Sequence, residues 1–211
     1  MASIANTAFE VSVSNITRNE TQNIPGYFGA GVGDEFVADI CASGFLCVRS
    51  ELTASEGYEN LTNPILNGNT WRMVASTNGK VAGRTGDHTG IYAFNSYDTA
   101  MAKQGDNAWR LGANTLGLEL PAGQRGDFTE LIVGEQFCWA AGNFSTLPSD
   151  ATEIYATISS GLLVATDTAP TDGSVYLHIL RQKNFTVGTR NAAFVGYVCE
   201  VCRSVDETVY S

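Results

Sequence analysis

The side chains best equipped for chemistry in this 211-residue chain are five cysteines, two histidines and 22 carboxylates. Cys199-Glu200-Val201-Cys202 has the two-cysteine spacing of zinc sites and redox motifs. Zinc needs a second close pair of ligands, and Cys41 and Cys47, six positions apart, space poorly for one. A redox pair needs a helix N-terminus to lower a thiol pKa, but Cys199 and Cys202 lie in a strand-like alternation. Residues three apart in a strand point to opposite faces. The fifth cysteine, Cys138, leaves an odd count, which argues against a disulfide framework and for reduced thiols that pack as small apolar groups.

His88 sits in Gly86-Asp87-His88-Thr89-Gly90, and sequence neighbours rarely converge on a metal without further ligands, so a turn is expected. His178 alternates with Tyr176 and Leu180 and reads as packed in a sheet. Gly29-Ala30-Gly31-Val32-Gly33 lacks the Lys-Ser/Thr and the helix that a phosphate cradle requires. No Gly-x-Ser-x-Gly elbow occurs. Arg125-Gly126-Asp127 matches an adhesion tripeptide, but a turn with Gly126 at positive φ accounts for it. Asp34-Glu35 and Glu51 with Glu56 are available as carboxylate pairs, and as solvated turns they need no catalytic role. Five Asn-x-Ser/Thr sequons begin at Asn15, Asn19, Asn60, Asn143 and Asn184. The first ten residues lack a signal-peptide pattern, so export and glycosylation are not expected. No catalytic, cofactor or metal residues are assigned, and an enzyme is not expected.

The elements that would position these residues are strands. Gly (22), Thr (21), Asn (15) and Ser (15) separate short apolar alternations. Strands are expected within 7–16, 71–74, 90–97, 108–120, 128–139, 153–165, 174–181 and 193–203. A hairpin over 35–49 turns near Ser43-Gly44, and Asn67-Gly68 and Asn78-Gly79 are further turns. One helical turn is allowed over 98–104, from Asp98 to Gly105. Val195, Tyr197, Cys199 and Val201 are expected to face the core, because Glu200 shares the other face. The fold class is all-β: an antiparallel sandwich or barrel-like body, with a lobe boundary near residue 85. Residues 1–33 read as an extended N-terminal arm, 34–205 as the body and 206–211 as a C-terminal tail.

The formal charge is −10 and only three lysines are present, which excludes nucleic-acid binding as the expected role. No apolar run approaches the ~18 residues a membrane helix needs, and no membrane contact is expected. Charged residues are only 16% of the chain, below the usual quarter or so, and hydrophobic residues at 44% suffice for a core. Such a weakly charged, polar surface suits β-proteins packed into assemblies. Nine Arg against three Lys and dispersed Tyr and Trp suit protein interfaces.

Gly112-Ala-Asn-Thr-Leu-Gly-Leu-Glu-Leu-Pro-Ala-Gly-Gln-Arg-Gly126, with Gly44-Phe-Leu-Cys-Val48, Asn69-Thr-Trp71, Gly90-Ile-Tyr-Ala93 and Gly196-Tyr-Val-Cys199, resembles the small β-rich decoration or cementing proteins of tailed-bacteriophage capsids. The pattern covers roughly residues 35–205 and carries no residue-level site. The resemblance implies a structural virion protein without cofactor, made in the host cytoplasm and placed on the capsid surface. Its partners would be the major capsid protein and copies of itself, a trimer being expected. A receptor- or carbohydrate-binding module of a tail or fibre is the alternative. On the capsid reading the arm carries the interface, through Phe9, Val11, Ile24, Tyr27 and Phe28. Removing residues 2–28 is then expected to leave a folded body that binds capsids weakly.

Titration of the denatured protein without reductant should find all five thiols free. Three or fewer, or stoichiometric zinc by elemental analysis, contradicts it.

Overall fold

The computed structural model describes residues 7, 9–11, 23–31, 35–50, 71–84, 86–96, 119–187 and 192–205. The helical turn expected at 98–104, the Asn67-Gly68 turn, most of the 108–120 strand and the 206–211 tail lie outside them. The described chain is all-β, as expected. Its strands are β1 (Phe9–Val11), β2 (Asn23–Ala30), β3 (Val37–Ala38), β4 (Leu46–Arg49), β5 (Trp71–Ala75), β6 (His88–Phe94) and β7 (Arg125–Ile132). They continue with β8 (Gln136–Ala140), β9 (Phe144–Thr146), β10 (Tyr155–Ser159), β11 (Leu162–Thr166), β12 (Val175–Val187) and β13 (Ala192–Arg203).

Strands β2, β5, β4, β6 and β7 form a closed ring, because β2 pairs with both β5 and β7, and β3 extends β2 beyond it. The β2–β5 pairing is parallel and the other ring pairings are antiparallel. The remaining strands make a seven-stranded sheet in the order β1-β8-β13-β12-β10-β11-β9. Apart from β1, the division between barrel and sheet falls at Val133-Gly134, and the boundary expected near 85 falls between β5 and β6, two strands of the barrel. The single strand expected over 128–139 is two strands in two sheets, separated by that turn, where Gly134 has φ 87°.

Strands β4, β6 and β7 have two buried faces. Cys47, Tyr92, Phe94 and Phe128 point into the barrel, with Phe28, Met73, Cys41 and Leu120. Leu46, Ile91, Ala93 and Leu131 point out of it, against Phe137, Trp139, Leu177, Cys199 and Val201 of the sheet. Two-sided burial explains why β6 reads as a nearly continuous apolar run, where a strand with one wet face would alternate.

The N-terminal segment is part of both sheets, which corrects the arm reading. β1 is the edge strand beside β8, with Phe9 opposite Trp139. Phe9 is 1% exposed, and its ring lies 5.3 Å from those of Phe137 and Trp139. β2 is a stave of the barrel. Deleting residues 2–28 removes an edge strand and opens the ring, so no folded body is expected to survive.

Arg125-Gly126-Asp127 is also not a turn. The turn is Pro121 to Gln124, and Arg125 begins β7. Gly126 lies opposite Gly26 of β2. A Cβ on Gly26 would come 2.6 Å from Met73 Cγ, and one on Gly126 2.8 Å from Phe94 Cε2. The glycine pair makes room for the barrel's side chains, so close approach, not positive φ, explains Gly126. The 43–44 turn is present, with Gly44 at φ 76°, but β3 pairs with β2 and β4 with β5 and β6, so 35–49 is no hairpin.

Gly26→Val and Gly126→Val should each lower unfolding free energy by about 1–3 kcal/mol through overpacking. Denaturant midpoints measure this, and unchanged midpoints contradict the close approach of β2 and β7.

Candidate functional site

The structure separates the residues singled out as an interface. Phe9 and Phe28 are buried in the two cores. Ile24 is partly buried against the barrel core. Tyr27 is half-buried in β2 between Arg72 and Arg125. Val11 lies in β1 opposite Phe137. Phe9 and Phe28 are therefore unavailable to a neighbouring subunit, because burial in the protein's own cores has already used their surfaces.

The thiols sit as a strand geometry requires. Cys199 faces the core between barrel and sheet, whereas Cys202, three positions on, is half-buried outside it. All five are free. Burial pushes the Cys41 thiol well up, and neighbouring Cys47 raises it further. Burial likewise raises Cys199, with Cys138 adding to it. Thiols held protonated are poor nucleophiles and poor ligands.

Polar groups gather at the start of β6. Glu130 is almost buried; its Oε1 accepts from Gly90 N at 3.0 Å and its Oε2 lies 3.2 Å from His88 Nδ1. Thr89 Oγ1 donates to Leu131 O at 2.6 Å. These bonds satisfy the backbone where the β6–β7 register shifts between His88 and Tyr92, with Gly90 at φ 71°. Nearby, the Arg49 guanidinium lies 4.3 Å from the Trp71 ring centroid and 5.3 Å from that of Tyr92. Burial, then the Glu130 charge, raises the Tyr92 hydroxyl pKa. His178 packs against the Tyr155 ring at 5.5 Å, as a sheet histidine should.

Arg203, at the end of β13, clasps sheet to barrel. Its Nη1 donates to the carbonyls of Arg84 (3.3 Å) and Gly86 (2.9 Å), and its Nη2 to those of His88 and Thr89 (both 3.4 Å). A second clasp joins the 43–44 turn to the sheet: Trp139 Nε1 donates to Gly44 O at 3.1 Å and Asn143 Nδ2 to Ser43 O at 2.7 Å. Barrel and sheet are thus one fused unit, and its polar clusters serve the backbone.

What projects from this unit is the end of the β12–β13 hairpin. β10 pairs with β12 only at Tyr155↔His178 and Ala156↔Leu177. β8 leaves β13 at Gly196. Beyond those points, among the described residues, the strand pairings of 181–187 are with β13 alone and those of 192–195 with β12 alone. At the ribbon's root the register shifts between Ile179 and Arg181, which makes Leu180 the extra residue of a bulge. A groove of about 390 Å³ opens there, lined by Pro148, Asp150, Glu153, Ile154, Leu180 and Arg181 among others. Ile154 and Leu180 are 39% and 40% exposed. Sequence reasoning missed this surface. Its one signal is Ile179-Leu180, two apolar neighbours that break the alternation of β12.

Comparisons with protein-family models, with curated proteins and with solved structures find no match.

Arg203→Ala should cost about 1–2 kcal/mol, and Arg203→Lys should recover little, because a lysine lacks the planar fork that spans several carbonyls. Equal stability of wild type and Arg203→Lys by chemical unfolding contradicts the clasp.

Proposed function

We propose that this chain is a structural protein of a bacteriophage particle that decorates the capsid and braces adjacent capsid subunits. One observation carries the reading: exposed aliphatic side chains occur on both the barrel and the sheet of one fused body. Val37 (70% exposed) and Ile40 (46%) lie at the β3 end of the barrel. On the sheet side Ile154 and Leu180 line the groove, Leu147 (44%) follows β9 and Val205 (65%) follows β13. A rigid unit with apolar contacts on both halves is built to bridge. Weak charge and the resemblance of 44–48, 90–93 and 196–199 to decoration proteins support it further. Those three segments all lie in the strands at the seam between barrel and sheet or beside it.

The sugar-binding alternative is less well supported. Stacking on sugars uses exposed aromatic faces, and the large apolar side chains most exposed among the described residues are all aliphatic.

Co-sedimentation with capsids stripped of this protein tests the proposal. The wild-type chain should pellet with them at a copy number comparable to that of the capsid protein. Val37→Asp with Ile40→Asp, on the exposed β3 end, should weaken binding about tenfold or more while leaving the fold intact. Absence of wild-type binding, or a few copies per particle by quantitative mass spectrometry, overturns it.

A further inference from the structure

The bend at Asn78-Gly79 brings together two groups of the chain that can react with each other. The backbone nitrogen that follows an asparagine is a nucleophile toward the side-chain amide carbon, and a following glycine, with no Cβ, leaves the approach open. Whether attack occurs in a folded chain depends on how the fold holds carbon against nitrogen.

Here the fold holds them together. Asn78 is exposed, so water reaches its side chain. Lys80 N donates to Asn78 Oδ1 at 3.2 Å. Such a side-chain turn closes the same hydrogen-bonded ring as a β-turn. The amide carbon takes the place of the first residue's carbonyl carbon, and Gly79 N that of the third residue's nitrogen. It therefore brings those two atoms near the roughly 3–3.5 Å from which bond formation proceeds. The Lys80 bond also polarises the amide C=O toward attack. On the other side, Gly79 N donates to Ser76 Oγ at 3.3 Å, which fixes the direction of its N–H and offers an oxygen to accept the proton.

We propose that Asn78 is a self-modifying site, at which Gly79 N attacks Asn78 Cγ, the side-chain nitrogen leaves as ammonia, and water opens the resulting succinimide to aspartate or isoaspartate. One C–N bond forms as another breaks, and the Gly79 proton is made up to the departing ammonia. Asparagine and water are consumed, a carboxylate and ammonia are produced, and nothing is oxidised or reduced.

The position gives the change a consequence. Gly161 N donates to Ser76 O and Ser160 N to Thr77 O, on one side of Asn78. Val175 N donates to Gly79 O and Lys80 Nζ pairs with Asp172 at 2.7 Å, on the other. All four contacts tie the barrel to the sheet. Isoaspartate adds a methylene to the main chain between the two sets, so they lose their common register. Conversion of Asn78 therefore loosens the seam with age. The inference does not depend on the capsid reading, because the isolated protein tests it.

Native protein and urea-denatured protein are held at physiological pH and temperature, digested at intervals and followed by peptide mass spectrometry. The peptide holding Asn78 should lose ammonia and then gain water in the native sample, at a rate within about tenfold of the denatured one. Isoaspartate should appear beside aspartate as a separately eluting peptide of equal mass. The denaturant midpoint of the aged native protein should fall. Asn78→Gln, whose longer side chain must close a larger ring, should remove the conversion at this position and the fall in midpoint. Gly79 is left unchanged, because a Cβ there would come 2.6 Å from Val175 O. Native conversion slower than that limit, or conversion that leaves the midpoint unchanged, overturns the proposal. If Asn78→Gln does not fold, the ratio of native to denatured rates in the wild type decides.

Discussion

Strands β4, β6 and β7 are buried on both faces, and the rest of the molecule is arranged to cover them. Inside, Phe28, Met73, Cys41 and Leu120 fill the barrel against Cys47, Tyr92, Phe94 and Phe128. Outside, the seven-stranded sheet supplies Phe137, Trp139, Leu177, Cys199 and Val201. Neither half covers these strands alone. A barrel without the sheet would expose Leu46, Ile91, Ala93 and Leu131. At about 1.5–3 kcal/mol per large buried side chain, that exposure would weigh heavily against a typical stability of 5–15 kcal/mol. The Arg203 and Trp139–Asn143 clasps then set how the two halves meet.

Closure of the ring depends on β2, which runs parallel to β5 and antiparallel to β7. Its fit requires Gly26 against Gly126, because each position is crowded by the side chains that fill the barrel. The thiols and the buried Glu130 belong to this same economy of space and hydrogen bonding. What remains for contact with other molecules is what folding leaves uncovered: aliphatic side chains at the β3 end, the groove, and the ribbon that outruns its neighbours.

Much of the fold was legible in the residues, and the reasons for the rest are physical. Alternation over 193–203 put Val195, Tyr197, Cys199 and Val201 on one face, and Tyr197, Cys199 and Val201 do pack toward the core. Ser43-Gly44 and Asn78-Gly79 marked changes of direction, and both glycines have positive φ. The N-terminal segment misled because glycine and proline read as a loose arm; in β2 the glycines serve packing, which local sequence does not reveal. Arg125-Gly126-Asp127 misled for the same reason. The 128–139 segment was read as one strand although Gly134-Glu135-Gln136 interrupts it, and that break is where the chain changes sheet. The site was the least legible part. How far the β12–β13 ribbon runs past β10 and β8 follows from where those strands stop, and that is a property of pairing between distant segments.

β2 closes the barrel as an integral stave. Native-state hydrogen exchange on the full chain tests it directly. Amides of Asn23–Ala30 that donate within the ring should open only with global unfolding, as those of His88–Phe94 do. Exchange across β2 at the rate of the exposed 167–172 turn, with β6 still protected, would contradict it and return the segment to an arm.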